Sequence, residues 1–110
     1  MSDDKKARIR ELNDALRRDG IGGKILQTFG VNQLPLDVKF KALELIRDFD
    51  DFNDDNDPHR EHDFGQVEAD GYVLFFKLDY YDKAEQYGSE DPSDPTLTHR
   101  VMTIMLAEEY

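Results

Sequence analysis

The sequence predicts an α+β fold. The expected form is a small antiparallel sheet of about three strands with three helices, in the order α-β-α-β-β-α, as one domain over residues 1–110. Three observations predict it. Apolar residues recur at helical spacing near the start, after Pro35 and after Pro95. Residues 72–80 (YVLFFKLDY) form a strongly apolar, alternating run. Asp70-Gly71, just before that run, is a favoured two-residue hairpin turn.

The elements follow in order. Ile9, Leu12, Ala15 and Leu16 predict a helix over 3–18, ended by Gly20, Gly22 and Gly23. Residues 24–31 (KILQTFGV) read as a strand. Pro35 suits the first turn of a second helix running to about Phe49. Its apolar residues fall on two adjacent lines, Leu36–Phe40–Leu43 and Val38–Ala42–Leu45–Phe49, which predicts a largely buried helix. Residues 50–64 have no periodicity and read as a loop, followed by a hairpin of 65–70 and 72–80. In the second strand Leu74, Phe76, Leu78 and Tyr80 share the face expected to pack on helices. Residues 82–94 read as a second polar loop. Asp94-Pro95 reads as the cap and first residue of a last helix carrying Leu97, Val101, Ile104 and Met105.

The totals exclude several classes. With no Cys among 110 residues, there is no disulfide framework, no thiolate metal site and no cysteine nucleophile. No apolar run is long enough for a membrane span, and residues 1–6 lack the apolar stretch of a signal peptide. These features predict a cytoplasmic protein with no membrane partner. The net charge of −11 argues against direct nucleic-acid binding, which needs cations against phosphate. The charge is uneven: residues 1–24 carry seven Lys/Arg against five Asp/Glu, whereas in residues 25–110 twenty acids face seven cations.

The unusual segment is Asp48–Asp63, with eight acids in sixteen residues, together with His59 and His62. Three chemistries compete for it. The alternation of Asp51, Asn53, Asp55 and Asp57 resembles the start of a calcium loop, but Asn56 stands where Gly is needed and His62 where the bidentate Glu belongs. A divalent metal on Asp57, His59, His62 and Asp63 is a second form of the metal reading; no cofactor is the favoured expectation. Acid–base catalysis by His59, His62 and Asp63 is the next, since carboxylates orient an imidazole and raise its pKa. No nucleophile motif, P-loop or dinucleotide fingerprint accompanies it. The third reading is a solvated loop turned by Asn56, Asp57 and Pro58.

A dense carboxylate array can also imitate the phosphates of nucleic acid and occupy a protein's basic groove. On this reading Asp50, Asp51, Asp54, Asp55, Asp57 and Glu61 supply the attraction. Asp79, Asp82, Glu85, Glu90, Asp91 and Asp94 extend it if both loops share one end of the sheet. Tyr81 or Tyr87 anchors the contact, because tyrosine buries area at low entropic cost.

The segments RELNDALRR (10–18), FDDFNDDNDPHREHDFG (49–65), FKLDYYD (76–82), YGSEDPSDP (87–95) and RVMTIMLAEEY (100–110) carry a resemblance. The chain resembles the bacterial family known as domain of unknown function 3768. The resemblance implies a setting in alphaproteobacteria and on mobile elements, and it implies that NDPHREHDFG is a signature; it carries over no activity. Size, acidity and that setting together lead to the expected function. It is a binding protein without catalysis of its own, most concretely an anti-CRISPR or anti-restriction inhibitor whose partner is a CRISPR effector or restriction enzyme with a basic groove. The alternatives are a metal-dependent or His-assisted hydrolase, and a regulatory or assembly module of a plasmid system, acting as a homodimer.

Overall fold

The computed structural model describes residues 3–110. The elements are α1 (Asp3–Asp19), β1 (Lys24–Gln27), α2 (Phe29–Asn32), α3 (Leu36–Arg47), β2 (Phe64–Ala69), β3 (Tyr72–Tyr81), β4 (His99–Leu106) and a final 3₁₀ turn (Ala107–Glu109). The α+β class holds, but the sheet has four strands, in the order β1-β4-β3-β2. It is mixed: β1 runs parallel to β4, and the other two pairings are antiparallel.

α1 forms as its residues dictate. Asp3 and Asp4 sit in the first turn, and Arg17 and Arg18 in the last, each favourable against the helix dipole. Gly20 ends it with φ 69°, its N–H donating to the Leu16 carbonyl at 3.0 Å. Gly23 then enters the sheet so close to the Arg100 carbonyl and the Leu16 side chain that a Cβ would collide with both. The hairpin turn is as expected, with positive φ at both Asp70 (51°) and Gly71 (87°).

The largest correction concerns the last element. Residues 99–106 are a strand, β4, rather than a helix. β4 is central, between β1 and β3, so it buries side chains on both faces: Met102 and Ile104 toward the helices, Val101 and Met105 toward the other side. An apolar run without a polar face fits helical spacing as readily as strand spacing. Asp94, expected to cap a helix, instead accepts from the Thr96 N–H and hydroxyl in a turn, and no helix follows. The first strand is also shorter than expected. Thr28 accepts the Val31 N–H and turns the chain into α2.

α1 and α3 pack on one sheet face, over a core of Leu16, Val38, Ala42, Ile46, Leu74, Phe76 and Ile104. α3 is less buried than its two apolar lines suggest. Val38, Ala42 and Ile46 are inside, whereas Leu36, Phe40 and Leu45 are exposed. The opposite sheet face carries Phe64, Phe75 and Tyr110, with the Phe64 and Phe75 ring centres 5.1 Å apart. Among the described residues, no helix is long and apolar enough to cross a membrane.

Candidate functional site

The two acidic loops leave the same end of the sheet. β2 begins at Phe64, opposite Lys77, and β3 ends at Tyr81, opposite His99. Antiparallel pairing therefore brings loop 48–63 and loop 82–98 to one edge of the molecule. Arg10, Asn13, Asp14 and Arg17 of α1 hold the first loop, and Lys5 near the start of α1 reaches Asp91 of the second.

Loop 48–63 is built by its own short polar side chains. Asn53 Oδ1 accepts from the N–H groups of Asp55 and Asn56, at 2.9 and 3.1 Å. Asn56 replies, its Oδ1 accepting from the Asn53 N–H and its Nδ2 donating to the Asp51 carbonyl. Asp57 is only 4% exposed, and its Oδ1 accepts from the N–H groups of Glu61 (2.9 Å) and His62 (3.1 Å). The turn passes through left-handed backbone at Arg60 (φ 58°) and His62 (φ 56°). Glycine is absent there, so these side-chain bonds hold the conformation.

Two networks then tie the loop to α1. In the first, the buried Arg17 donates to the carbonyls of Ile46, Arg47 and Phe49, at 3.0, 3.0 and 2.9 Å. These carbonyls lie where α3 ends and its intrahelical bonds run out, and the Ile46 carbonyl also accepts from the Phe49 N–H. Arg17 also bonds Asp14 at 2.9 Å, and its guanidinium lies 5.3 Å from the centre of the Phe52 ring. Asp14 in turn holds His62 Nδ1 at 2.9 Å. The His62 ring stacks on Phe52, with centres 3.8 Å apart and planes 4° from parallel. His62 Nε2 lies 3.9 Å from Asp57.

In the second network Asn13, wholly buried, donates to the Glu61 carbonyl (2.9 Å) and to the Tyr80 hydroxyl (2.8 Å). Its Oδ1 accepts from Arg100 Nε at 2.6 Å. The Tyr80 hydroxyl donates to Glu61 Oε1 at 2.9 Å, and Arg100 also donates to the Pro92 carbonyl. Asn13 thus bonds loop 48–63 directly and is linked to loop 82–98 only through Arg100 of β4. Burial pushes the Tyr80 hydroxyl far above the ordinary phenol range and lowers Arg100 from its usual value. Burial, followed by Glu61 and Asp57, raises the Asp63 carboxyl.

The expected site residues divide. Asp50, Asp51, Asp54 and Asp55 are exposed, as are Tyr81 (38%) and Tyr87 (73%). Asp57 is buried as a backbone cap, and Glu61 is half-buried, with one carboxylate oxygen in the Asn13–Tyr80 network. His59 is exposed, while His62 and Asp63 are partly buried. Among the described residues, no group of three or more His, Asp or Glu side chains comes together in a way that could hold a metal ion. Asn53 and Asp57, needed as ligands on the calcium-loop reading, are spent on backbone N–H groups.

Asn13, Asp14, Arg17 and Arg100 were not foreseen as site residues. One signal was available. Asn13 and Arg17 share the stripe of Ile9 and Leu16, and polar residues on a core-facing stripe call for buried partners. Those partners, some thirty to ninety residues away, have no sequence signature.

The fold and these networks define a small acidic α+β protein with two carboxylate-rich loops at one end of the sheet, the first of them fastened to α1. A family model described as "Protein of unknown function (DUF3768)" matches residues 27–109, and the chain belongs to that family. No match is found among curated proteins or solved structures.

Proposed function

We propose that the protein acts by binding another protein, with its two-loop acidic end against a basic groove that normally holds nucleic acid. The observation that carries this reading is the division of labour within loop 48–63. Asp57, His62 and Glu61 are committed inward, and the loop they brace displays Asp50, Asp51, Asp54 and Asp55 to solvent. Asp82, Glu85 and Glu90 stand on the neighbouring loop, with Tyr87 exposed among them. A braced array loses little conformational freedom on binding, and dense carboxylates speed encounter with a cationic groove. In its most concrete form the protein is an inhibitor of a CRISPR effector or a restriction enzyme, acting in the bacterial cytoplasm as a nucleic-acid mimic.

The test is capture of the tagged protein from a host with active restriction and CRISPR systems, at low salt, with elution by a salt gradient. The expected result is a nuclease or effector subunit that elutes at moderate salt. It is lost when Asp50, Asp51, Asp54 and Asp55 are together changed to Asn. A partner indifferent to salt, or none in such hosts, overturns the reading.

The hydrolase alternative rests on one contact, His62 with Asp14 at 2.9 Å. In that contact the imidazole is stacked and held between two carboxylates, an arrangement that suits a brace. Native mass spectrometry after metal supplementation tests its metal-dependent form, which requires a stoichiometric bound ion.

A further inference from the structure

We propose that loop 82–98 holds a socket for one arginine side chain of the partner protein, with the arginine stem against Leu97 and its guanidinium over the Tyr87 ring, facing Asp82 and Glu90. The proposal rests on the reading that the acidic end meets a basic groove, and it names what that groove inserts. A cavity of about 450 Å³ opens in this loop, lined by Asp82, Lys83, Tyr87, Gly88, Glu90 and Leu97. Tyr87 and Leu97 are the two large apolar side chains among residues 82–98, and both are exposed, Tyr87 at 73% and Leu97 at 45%.

Backbone bonds fix both walls of the socket. The Asp82 N–H donates to the Tyr87 carbonyl at 2.8 Å, the Ser89 N–H donates to the Tyr80 carbonyl at 3.0 Å, and Gly88 bridges to Tyr81. Residues 82–89 thus fold back along the end of β3, with Tyr87 on the returning arm. Ser89 ties that arm to the opposite wall. Its hydroxyl donates to the Leu97 carbonyl at 3.4 Å and lies 2.8 Å from the hydroxyl of the buried Thr98. Tyr87 and Leu97, ten residues apart in the chain, are therefore set as walls of one cavity before a partner arrives. Walls ordered in advance lose little freedom on binding.

The chemistry of the lining identifies the occupant. Asp82 accepts from the Gln86 and Tyr87 N–H groups through Oδ1 alone, at 3.0 and 3.4 Å, which leaves Oδ2 to accept from a guest. Among the described residues, Glu90 forms no hydrogen bond or ion pair. A guanidinium stacks flat on an aromatic ring and donates from its edge to carboxylates, while its aliphatic stem covers apolar surface. Arginine therefore uses the ring, the aliphatic wall and the acids together. Lysine has no flat face to stack. A neutral guest leaves the carboxylates without a counter-charge, and an anion meets a chain of net charge −11. Lys83 is the one Lys or Arg of the loop, against five acids. It lines the cavity as a like charge, so it lowers the affinity for arginine.

The test titrates the full chain with Nα-acetyl-arginine methylamide and follows backbone amides by NMR. Shifts are expected in residues 86–90 and 96–98 and not in loop 48–63, saturating at roughly millimolar probe. The citrulline analogue, of the same shape without the charge, should leave these amides unmoved, and the lysine analogue should bind more weakly. Tyr87→Ala and Glu90→Gln, both at exposed positions, should each weaken arginine binding by roughly threefold while leaving the circular dichroism spectrum unchanged. Lys83→Gln should strengthen it. Citrulline bound as well as arginine, shifts spread over both acidic loops, or variants without effect each overturn the proposal. So does free arginine bound more tightly than the blocked probe, which marks a metabolite site instead. The capture experiment separates this proposal from the reading beneath it. A partner captured as well by the Tyr87→Ala/Glu90→Gln double variant as by the natural chain overturns the socket and leaves the acidic-end reading standing. A socket that binds the arginine probe as expected, in hosts that yield no partner, upholds the socket and overturns the wider reading.

Discussion

Loops 48–63 and 82–98 have similar lengths and share one end of the sheet, with eight and five acids respectively, yet they are held by different physics. Loop 48–63 is anchored from below. Arg17, Asn13, Asp14 and Tyr80 reach it from α1 and β3 with buried or half-buried bonds. Loop 82–98 is held mostly by itself, through short polar turns: Asp82 to Gln86, Asp91 to Ser93, Asp94 to Thr96. Its chief ties to the body are Arg100 to the Pro92 carbonyl and the exposed Lys5–Asp91 pair. The lesson is that acid density does not reveal role. Both loops spend acids on their own turns, but loop 48–63 buries one of them, Asp57, whereas Asp82, Asp91 and Asp94 stay partly exposed.

This difference predicts a graded series. The largest loss belongs to Arg17→Ala, which takes the guanidinium donor from the carbonyls of Ile46, Arg47 and Phe49 and leaves Asp14 without its arginine partner. Removing one partner from such a buried network costs on the order of 3–5 kcal/mol, to be read from urea unfolding. Next comes Asp57→Ala, which removes the cap from Glu61 and His62 and should cost about 1–2 kcal/mol. Asp57→Asn, which keeps an accepting oxygen, should recover much of that. The matching change in the other loop, Asp94→Ala, breaks only bonds to exposed Thr96 and should cost less than Asp57→Ala. Smallest of all is the joint change of Asp50, Asp51, Asp54 and Asp55 to Asn, which should move stability by no more than about 0.5 kcal/mol per site while abolishing capture by a basic partner.

Acid titration sharpens the comparison. Asp63, at the end of loop 48–63, has its pKa raised by burial first. Folding therefore favours its protonated form, and its contribution improves as pH falls from neutrality through that raised value. Asp91, in loop 82–98, has its pKa lowered, chiefly by the Ser93 hydroxyl. Its contribution is present above the ordinary carboxylate pKa and is lost as pH falls through the lowered value. Asp63→Asn should thus raise stability at neutral pH relative to acid, and Asp91→Asn should flatten the acid loss. Thermal melts of both variants between pH 7 and about pH 3 check the opposite signs.

Much of this molecule was legible in the residues alone. Periodicity placed α1 and α3, turn chemistry placed the β2–β3 hairpin, and the Asp/Asn content of both loops marked them as loops. β4 was not legible as a strand, because a central strand buried on both faces has no polar side to betray its period. The fourth strand and the mixed pairing were missed with it, since β1 finds its parallel partner nearly eighty residues away.

The candidate site divides in the same way. Its odd composition and the turn at Asn56-Asp57-Pro58 are local, and local hydrogen bonding dictates them. Which acids face inward is not local. Asp14 meets His62, and Asn13 meets Glu61, Tyr80 and Arg100, only once α1 lies across the end of the sheet. Sequence by itself determined the class of fold, the helical and hairpin segments and the acidity of two loops, because short-range sterics and periodic burial depend on neighbours in the chain. Tertiary structure alone decided the sheet order, the inward turn of Asp57 and Glu61 and the exposed apolar edge at β1, because each depends on which distant surface happens to cover it, and burial is a property of the whole fold.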